Sequence, residues 1–441
     1  MAIFETVFLG KLNSLFLENI YNKQNTTKKF RSMNQFFQII SYIFLFLVFY
    51  FEIFILLSFL EKKEEQTHNP DEWSEDEAVT IIVPCFNEET TIAGTLDSIL
   101  HLAYPPEKLF VIVVDDGSTD QTATFLEPYR KYPNIEILHK ENGGKHTALN
   151  LGLLHCKTSI VGCLDADSFV VPDALTYIMQ KFRNPEIMAV TPSTVIWRAK
   201  TLIQKMQKAE YHYGNLIRYA MSMMHSIHIA PGPFSFFRMQ VFETIGNYKH
   251  AHNTEDMEIA MRMQKQGLKI VHAPRAVVYT SSPHTIKKLY TQRVRWVSGF
   301  LGNLIDYKNM LFNKKYGDLG MLVLPMALIS ILMTIPFAIA SLYSTGITLY
   351  HTVENFLLHG TSRWTWANFD IFFINMNTIW VLTSVLLVIM IFLLACGKKI
   401  TSGKWQISGD FIYLMFYTLI APFWLWKAIY NNIQKKQASW R

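Results

Sequence analysis

Between Val79 and Leu164 four short apolar runs alternate with stretches of helical character: VTIIVP at 79–84, LFVIVVD at 109–115, IEIL at 135–138 and IVGCL at 160–164. The intervening helical stretches begin near Glu89, after Asp120 and at Lys145. Runs this short read as strands buried on both faces, and strands that alternate with helices pair in parallel. The rhythm predicts an α/β domain, a doubly wound parallel sheet. That architecture restricts where chemistry can sit, because open α/β sheets bind ligands outside the carboxyl ends of their strands, where the strand order reverses.

Polar residues collect at those ends. The first run exits into Pro84-Cys85-Phe86-Asn87-Glu88-Glu89, which reads as a nucleotide-docking turn or as a helix capped by Asn87. The second exits into Asp115-Asp116-Gly117-Ser118-Thr119-Asp120, where Gly allows a tight turn and one acid is left to accept hydrogen bonds from a base or ribose. Asn142-Gly143-Gly144-Lys145 is not a Walker loop, since His139 and His146 stand where that pattern needs Gly and Ser or Thr. Its paired glycines still expose amides, and Lys145 supplies charge for a phosphate. The fourth run stops at Asp165-x-Asp167, a spacing at which two carboxylates can face a divalent cation and, through it, a diphosphate.

Two further clusters lie downstream. Thr254-Glu255-Asp256 follows the Pro231-Gly232-Pro233 turn and reads as a general base toward a hydroxyl or as a helix cap with first-turn acids. In Gln292-Arg293-Val294-Arg295-Trp296 an Arg can hold a phosphate by two hydrogen bonds and the Trp face can stack on a sugar, while Arg293 also suits a basic-aromatic anchor at a bilayer surface. No Gly-x-Ser-x-Gly, His-Glu-x-x-His or Cys-x-x-Cys occurs, so hydrolase and zinc chemistry lack support.

Half of the residues are apolar, and the excess lies at 37–60 and beyond 320. Phe37–Leu60 is long enough to cross a hydrocarbon core of about 30 Å. Three more spans are expected within 321–430, at 321–345, 371–396 and 408–430, leaving a tail at 431–441. Residues 1–36 show amphipathic helical spacing, and 61–78 hold eight acids against two lysines, a solvated linker. The globular domain then covers 79–283, with interfacial helices over 284–320 and another amphipathic stretch at 198–224. Lys398, Lys399 and Lys404 between the last two spans mark that turn, and by counting back the domain, as cytosolic, whereas Lys23, Lys28, Lys29 and Arg31 argue the opposite for the N-terminus. The net charge of +6 carries no basic-aromatic cluster that would mark a nucleic-acid binder. Four cysteines without paired spacing fit a reducing cytosol, and Glu5, Lys11 and Glu18 argue against a cleavable signal.

In this order VPCFNEE, VVDDGS, GGK, DAD, TED and QRVRW resemble the membrane-integrated family 2 glycosyltransferases, which include poly-N-acetylglucosamine, cellulose, chitin and hyaluronan synthases. The resemblance covers roughly residues 79–300. It implies a GT-A, Rossmann-like nucleotide-sugar domain inserted between transmembrane helices of a multi-pass cell-membrane protein. The implied activity is inverting and uses Mg²⁺ or Mn²⁺. It polymerises a β-linked polysaccharide from a cytosolic UDP-sugar, UDP-GlcNAc by analogy, with export. Transfer of one sugar to a polyprenyl phosphate, or a nucleotide-sensing receptor or transporter without catalysis, are the alternatives. The resemblance assigns Asn87, Glu88 and Asp116 to the uridine, Pro84 to substrate binding, Lys145 to the diphosphate, and Asp165 and Asp167 to the metal and the nucleotide sugar. Glu255 and Asp256 become catalytic, with Asp256 the base. Gly232 lies where the acceptor is positioned, and Gln292, Arg295 and Trp296 close over diphosphate and acceptor. Implied partners are the donor, a growing glycan or lipid acceptor, the bilayer, and an accessory membrane subunit or a second copy. Only one span precedes the domain, where many relatives have two.

Overall fold

A computed structural model describes residues 35, 39–60, 77–359, 378–401 and 403–434. The amphipathic segment expected over 1–36 and the linker over 61–78 therefore lie almost wholly outside the described residues. In chain order the elements are α1 (Ile39–Leu60), β1 (Val79–Cys85), α2 (Ile92–Leu100), β2 (Leu109–Asp115), α3 (Thr122–Leu126), β3 (Ile135–His139), α4 (Lys145–His155), β4 (Ile160–Cys163), β5 (Ser168–Val170), α5 (Ala174–Phe182), β6 (Ile187–Ile196), α6 (Leu202–Met223), β7 (Ser235–Arg238), α7 (Met239–Ile245), α8 (Glu255–Lys265), β8 (Lys269–Thr280), α9 (Ile286–Asp306), α10 (Leu324–His359), α11 (Thr378–Ile400) and α12 (Ile407–Ile433).

The four expected runs become β1 to β4, paired in parallel. All seven residues of β1 are buried, as a central strand covered on both faces requires. Val79, Ile81 and Val83 pack toward Ile92 and Leu96 of α2 and Ile178 of α5. The alternate Ile82 packs toward Leu149 and Leu153 of α4 and Ile259 of α8. The full sheet runs β3-β2-β1-β4-β7-β6-β8-β5. It is mixed: β7 lies antiparallel to β4 and to β6, β8 parallel to β6, and β5 antiparallel to β8. The chain winds outward from β1 to β3 and returns on the other side of β1 as β4, so the order reverses between β1 and β4. Pro84, Asp165 and Asp167 stand at that point.

The chain divides into two compact units, Phe51–Ile329 with Val385–Arg441, and Met1–Tyr50 with Ser330–Ser384. The second holds the first turns of α1 and most of α10, with Phe44 stacked on Phe337. In the first, the sheet is backed by α6 and α9, the segments expected as amphipathic. Met206 and Ala209 of α6 share an apolar cluster with Leu289 of α9, Leu394 of α11 and Tyr413 of α12. Polar Gln207, His212 and Asn215 of α6 are also buried, which fits a helix packed on both sides.

Among the described residues three helices are long and apolar enough to cross a membrane, Ile39–Leu60, Leu319–Leu358 and Val381–Ile400. A fourth candidate is the pair Ile407–Tyr417 and Leu419–Ile433, bent by 53°. Lys398, at the end of α11, is 3% exposed, and its Nζ donates to both Asp410 oxygens at 2.7 and 2.6 Å. The pair closes the turn between α11 and α12, with the ammonium over the Trp405 ring. Asp410→Ala strands a buried ammonium and should cost about 3–5 kcal/mol, read as a lower thermal midpoint in detergent.

Candidate active site

The switch point opens into a cavity of about 910 Å³, walled by the ends of β1 and β4, the first turns of α4 and α8, the 229–233 loop, and α6 and α9. It brings together Pro84, Glu88, Asp116, Lys145, Asp165 and Asp167 with Gly232, Glu255, Asp256, Gln292, Arg295 and Trp296. Asn87 alone among the expected site residues stands outside the lining.

Lys145 opens α4 and ties the two ends of the cavity together. Its Nζ lies 2.6 Å from Asp165 Oδ1 and 3.2 Å from Glu255 Oε1. Burial works against the ammonium, but Asp165 and Glu255 outweigh it and raise its pKa above the ordinary lysine value. Burial likewise opposes the Glu255 charge, and Lys145 reverses the balance, holding that carboxyl below its usual range. Gly232 permits this closeness: a Cβ there would stand 2.8 Å from both Asp165 carboxylate oxygens and press on Lys145 Nζ. The loop is pinned by Ser235 Oγ donating to the Pro231 carbonyl at 2.6 Å and by Phe234 N donating to the Cys163 carbonyl at 2.7 Å.

At the neighbouring acids burial and like charge outweigh Lys145 and Arg295. Burial, aided by Asp165 and Glu88, pushes the Asp167 carboxyl up to about 7. Burial and Glu255 likewise raise the pKa of Asp256. Asp256 sits in the first turn of α8, where its Oδ1 accepts from Met257 N at 2.9 Å. A carboxyl poised between forms at the mouth of a helix is suited to proton transfer. Asp165 and Asp167 offer oxygen ligands of the kind that Mg²⁺ and Mn²⁺ take, and the unneutralised Asp167 suits a cation. Among the described residues no three His, Cys, Asp or Glu side chains form a metal cluster. The residues fit a divalent ion whose remaining ligands are diphosphate oxygens and water.

Three expectations at the strand ends are corrected. No acid of the 115–120 turn is left without partners. Asp115 accepts from Ser118 N at 3.0 Å and lies 3.1 Å from His139 Nδ1. Asp116 accepts from Lys140 Nζ at 2.5 Å, Gly143 N at 3.0 Å and Gly144 N at 2.8 Å. Hence the paired glycine amides are not exposed for a phosphate; the Asp116 carboxylate has them. Asn87, at φ 55°, does not cap its helix or face the cavity. Its Oδ1 accepts from Thr119 N at 2.8 Å and its N donates to Ser118 Oγ at 2.9 Å, which latches the β1 exit to the β2 exit.

On α9, Gln292, Arg295 and Trp296 reach the cavity, and the buried Gln292 Oε1 has no hydrogen-bond partner among the described residues. Arg293 is not among the cavity-lining residues. It is 4% exposed, donates to Glu210 Oε2 at 2.6 Å, and lies over the Trp296 ring, 4.3 Å from its centroid, so the bilayer-anchor reading is withdrawn. Glu210 also accepts from Tyr417 of α12 at 2.7 Å through its other oxygen. Sequence reasoning missed α6 as a wall of the site. Glu210, Gly214 and Arg218 line the cavity at intervals of four, a polar stripe of helical spacing that could have signalled it. Arg218 donates to the Pro192 carbonyl at 3.2 Å and to Asn215 Oδ1 at 3.0 Å, and burial lowers its pKa to about 10.

A family model described as "Glycosyltransferase like family 2" matches residues 76–299. A poly-β-1,6-N-acetyl-D-glucosamine synthase of Staphylococcus epidermidis is 29% identical over 302 residues, 68% of this chain and 72% of that protein. One of Staphylococcus aureus (strain COL) is 32% identical over 228 residues, 51% of this chain and 54% of that protein. The chain thus spans about half the length of the second relative. Among solved structures, a mannosyltransferase from Pyrobaculum calidifontis in complex with GDP-Man and Mn²⁺ is similar at a TM-score of 0.63 and 19% identity, covering 91% of this chain and 99% of that one. That likeness speaks to the fold alone.

Proposed function

The chain belongs to glycosyltransferase family 2, and from that premise we propose that it builds a β-linked polysaccharide by inverting transfer from UDP-GlcNAc at the cytosolic face of the cell membrane. The observation that carries the reading is Lys145 bridging Asp165 and Glu255, which puts a diphosphate-binding end and a base-bearing end in one cavity. The candidate spans support a membrane enzyme, and the names of the curated relatives support GlcNAc as the unit transferred.

In this reading the donor diphosphate lies beside Lys145 and Arg295, and the acceptor sugar stacks on the open face of Trp296. Asp256 removes the acceptor hydroxyl proton as that oxygen attacks the anomeric carbon from the face opposite UDP. The new C–O bond forms as the bond to the diphosphate oxygen breaks, and the electron pair leaves with UDP. Lys145 and Arg295 face the growing negative charge. A divalent cation held by Asp165 and Asp167 supplies further charge there when bound. Gln292 Oε1 is available to accept from a sugar hydroxyl.

UDP release from purified protein in lipid nanodiscs, compared across UDP-GlcNAc, UDP-glucose and UDP-glucuronate, tests the reading. UDP-GlcNAc should be preferred, and the product should run as a ladder. Release from none of them would overturn the reading; a single sugar on lipid would overturn polymerisation alone. A base with a raised pKa is protonated sooner on acidification than an ordinary aspartate. The rate should therefore fall as pH drops through that raised value, and Asp256→Glu should shift the midpoint of the profile.

A further inference from the structure

We propose that α9 clamps the turn that presents Glu255 and Asp256, with Gly302 and Asn303 as positioning residues for the transfer step. The inference rests on reading Asp256 as the base. Ala251, His252 and Asn253 are three consecutive non-glycine residues in the left-handed region, at φ 45°, 54° and 62°. L-residues other than Asn and Asp leave that region unless their surroundings hold them there.

One face of α9 does the holding. Asn303 Nδ2 donates to Thr254 Oγ1 at 2.8 Å. Arg295 Nη1 donates to the Asn253 carbonyl at 3.4 Å, and His252 Nε2 lies 2.9 Å from Asp306 Oδ2. Gly299 and Gly302 let the turn approach. A Cβ on Gly302 would stand 2.7 Å from His252 Cγ, and one on Gly299 would stand 2.9 Å from Thr254 Cβ, with the rest of that side chain nearer still. Positions 295, 299, 302, 303 and 306 share a side of the helix by their spacing. Thr254 follows the turn directly, and its carbonyl accepts from Met257 N and Glu258 N, both at 3.1 Å. A shift of the turn therefore moves the two acids that come next. The same helix carries Gln292, Arg295 and Trp296, so the residues over the substrate and the turn that aims the base keep one register.

The test uses full-length protein in nanodiscs. Gly302→Ala should lower kcat for UDP release on the order of 10- to 100-fold, as a base displaced by a fraction of an ångström to 1 Å would. UDP affinity by calorimetry and the thermal midpoint should stay at parental values. Adding His252→Gly removes the ring that the new Cβ meets and suits positive φ, but also deletes the contact with Asp306, so the double variant should recover part of the lost rate, through the remaining Asn303 and Arg295 bonds. Should Gly302→Ala fail to fold, Asn303→Ala removes the donor to Thr254 without added bulk, and about tenfold in kcat at unchanged UDP affinity is expected. Parental kcat in either variant, a parallel fall of UDP affinity and thermal midpoint, or no recovery in the double variant would overturn the clamp. Asp256→Asn separates the layers: full rate there defeats the base reading, whereas an inactive Asp256→Asn beside a normal Gly302→Ala defeats the clamp alone.

Discussion

Asp256→Asn is expected to cut UDP release by about 10²–10⁴-fold, the range spanned by a lost general base, while UDP binds nearly as before. The change is isosteric. An asparagine oxygen can still accept from Met257 N, as Asp256 Oδ1 does at 2.9 Å. The bond from Ala230 N goes to the Asp256 main-chain carbonyl and is untouched. Lys145, Asp165 and Glu255 keep their ion pairs, so the diphosphate end retains its charge. What disappears is the proton acceptor. Single-turnover UDP release beside calorimetric UDP titration checks both halves, and a variant with parental turnover would remove Asp256 from the mechanism.

Asp167→Ala is expected to abolish the Mn²⁺-dependent part of UDP affinity. Loss of a supporting outer-shell group costs 10–100-fold in metal affinity, and a direct ligand should cost at least about 100-fold. The argument is electrostatic. A half-buried carboxyl beside Asp165 and Glu88, with its pKa pushed up to about 7, is a site where negative charge goes under-compensated. Chelating the metal from the parent should reproduce the variant's UDP affinity. If UDP binds the parent equally with and without Mn²⁺, the two acids serve some purpose other than holding a cation.

The parallel half of the sheet was legible because β1, β2 and β4 are buried on both faces and read as unbroken apolar runs. Their ends pointed to Pro84, Asp116, Asp165 and Asp167, and the glycine pair before α4 to Lys145. The antiparallel half was not legible. β6 contains Thr191, Pro192, Ser193 and Thr194, and β5 has three residues, so neither carries a clear apolar signature. Partner choice decided at long range also hid the fates of Asp116 and Asn87. The sequence shows an acid or an amide at a strand end, but not that Gly143 and Gly144 or Thr119 will already occupy it. Lys398 makes the same point, since its charge was visible but Asp410, on the next helix, decides where it faces.

The carboxylate of Glu210 is shared by Arg293, over the Trp296 ring, and by Tyr417 at the bend of α12. A bilayer thinner or thicker than α12 prefers makes such a helix tilt, and Tyr417, Glu210 and Arg293 link α12 to the tryptophan contact by contact. Acyl-chain length thus becomes a kinetic variable: turnover should peak at one hydrocarbon thickness, and Tyr417→Phe should flatten the dependence.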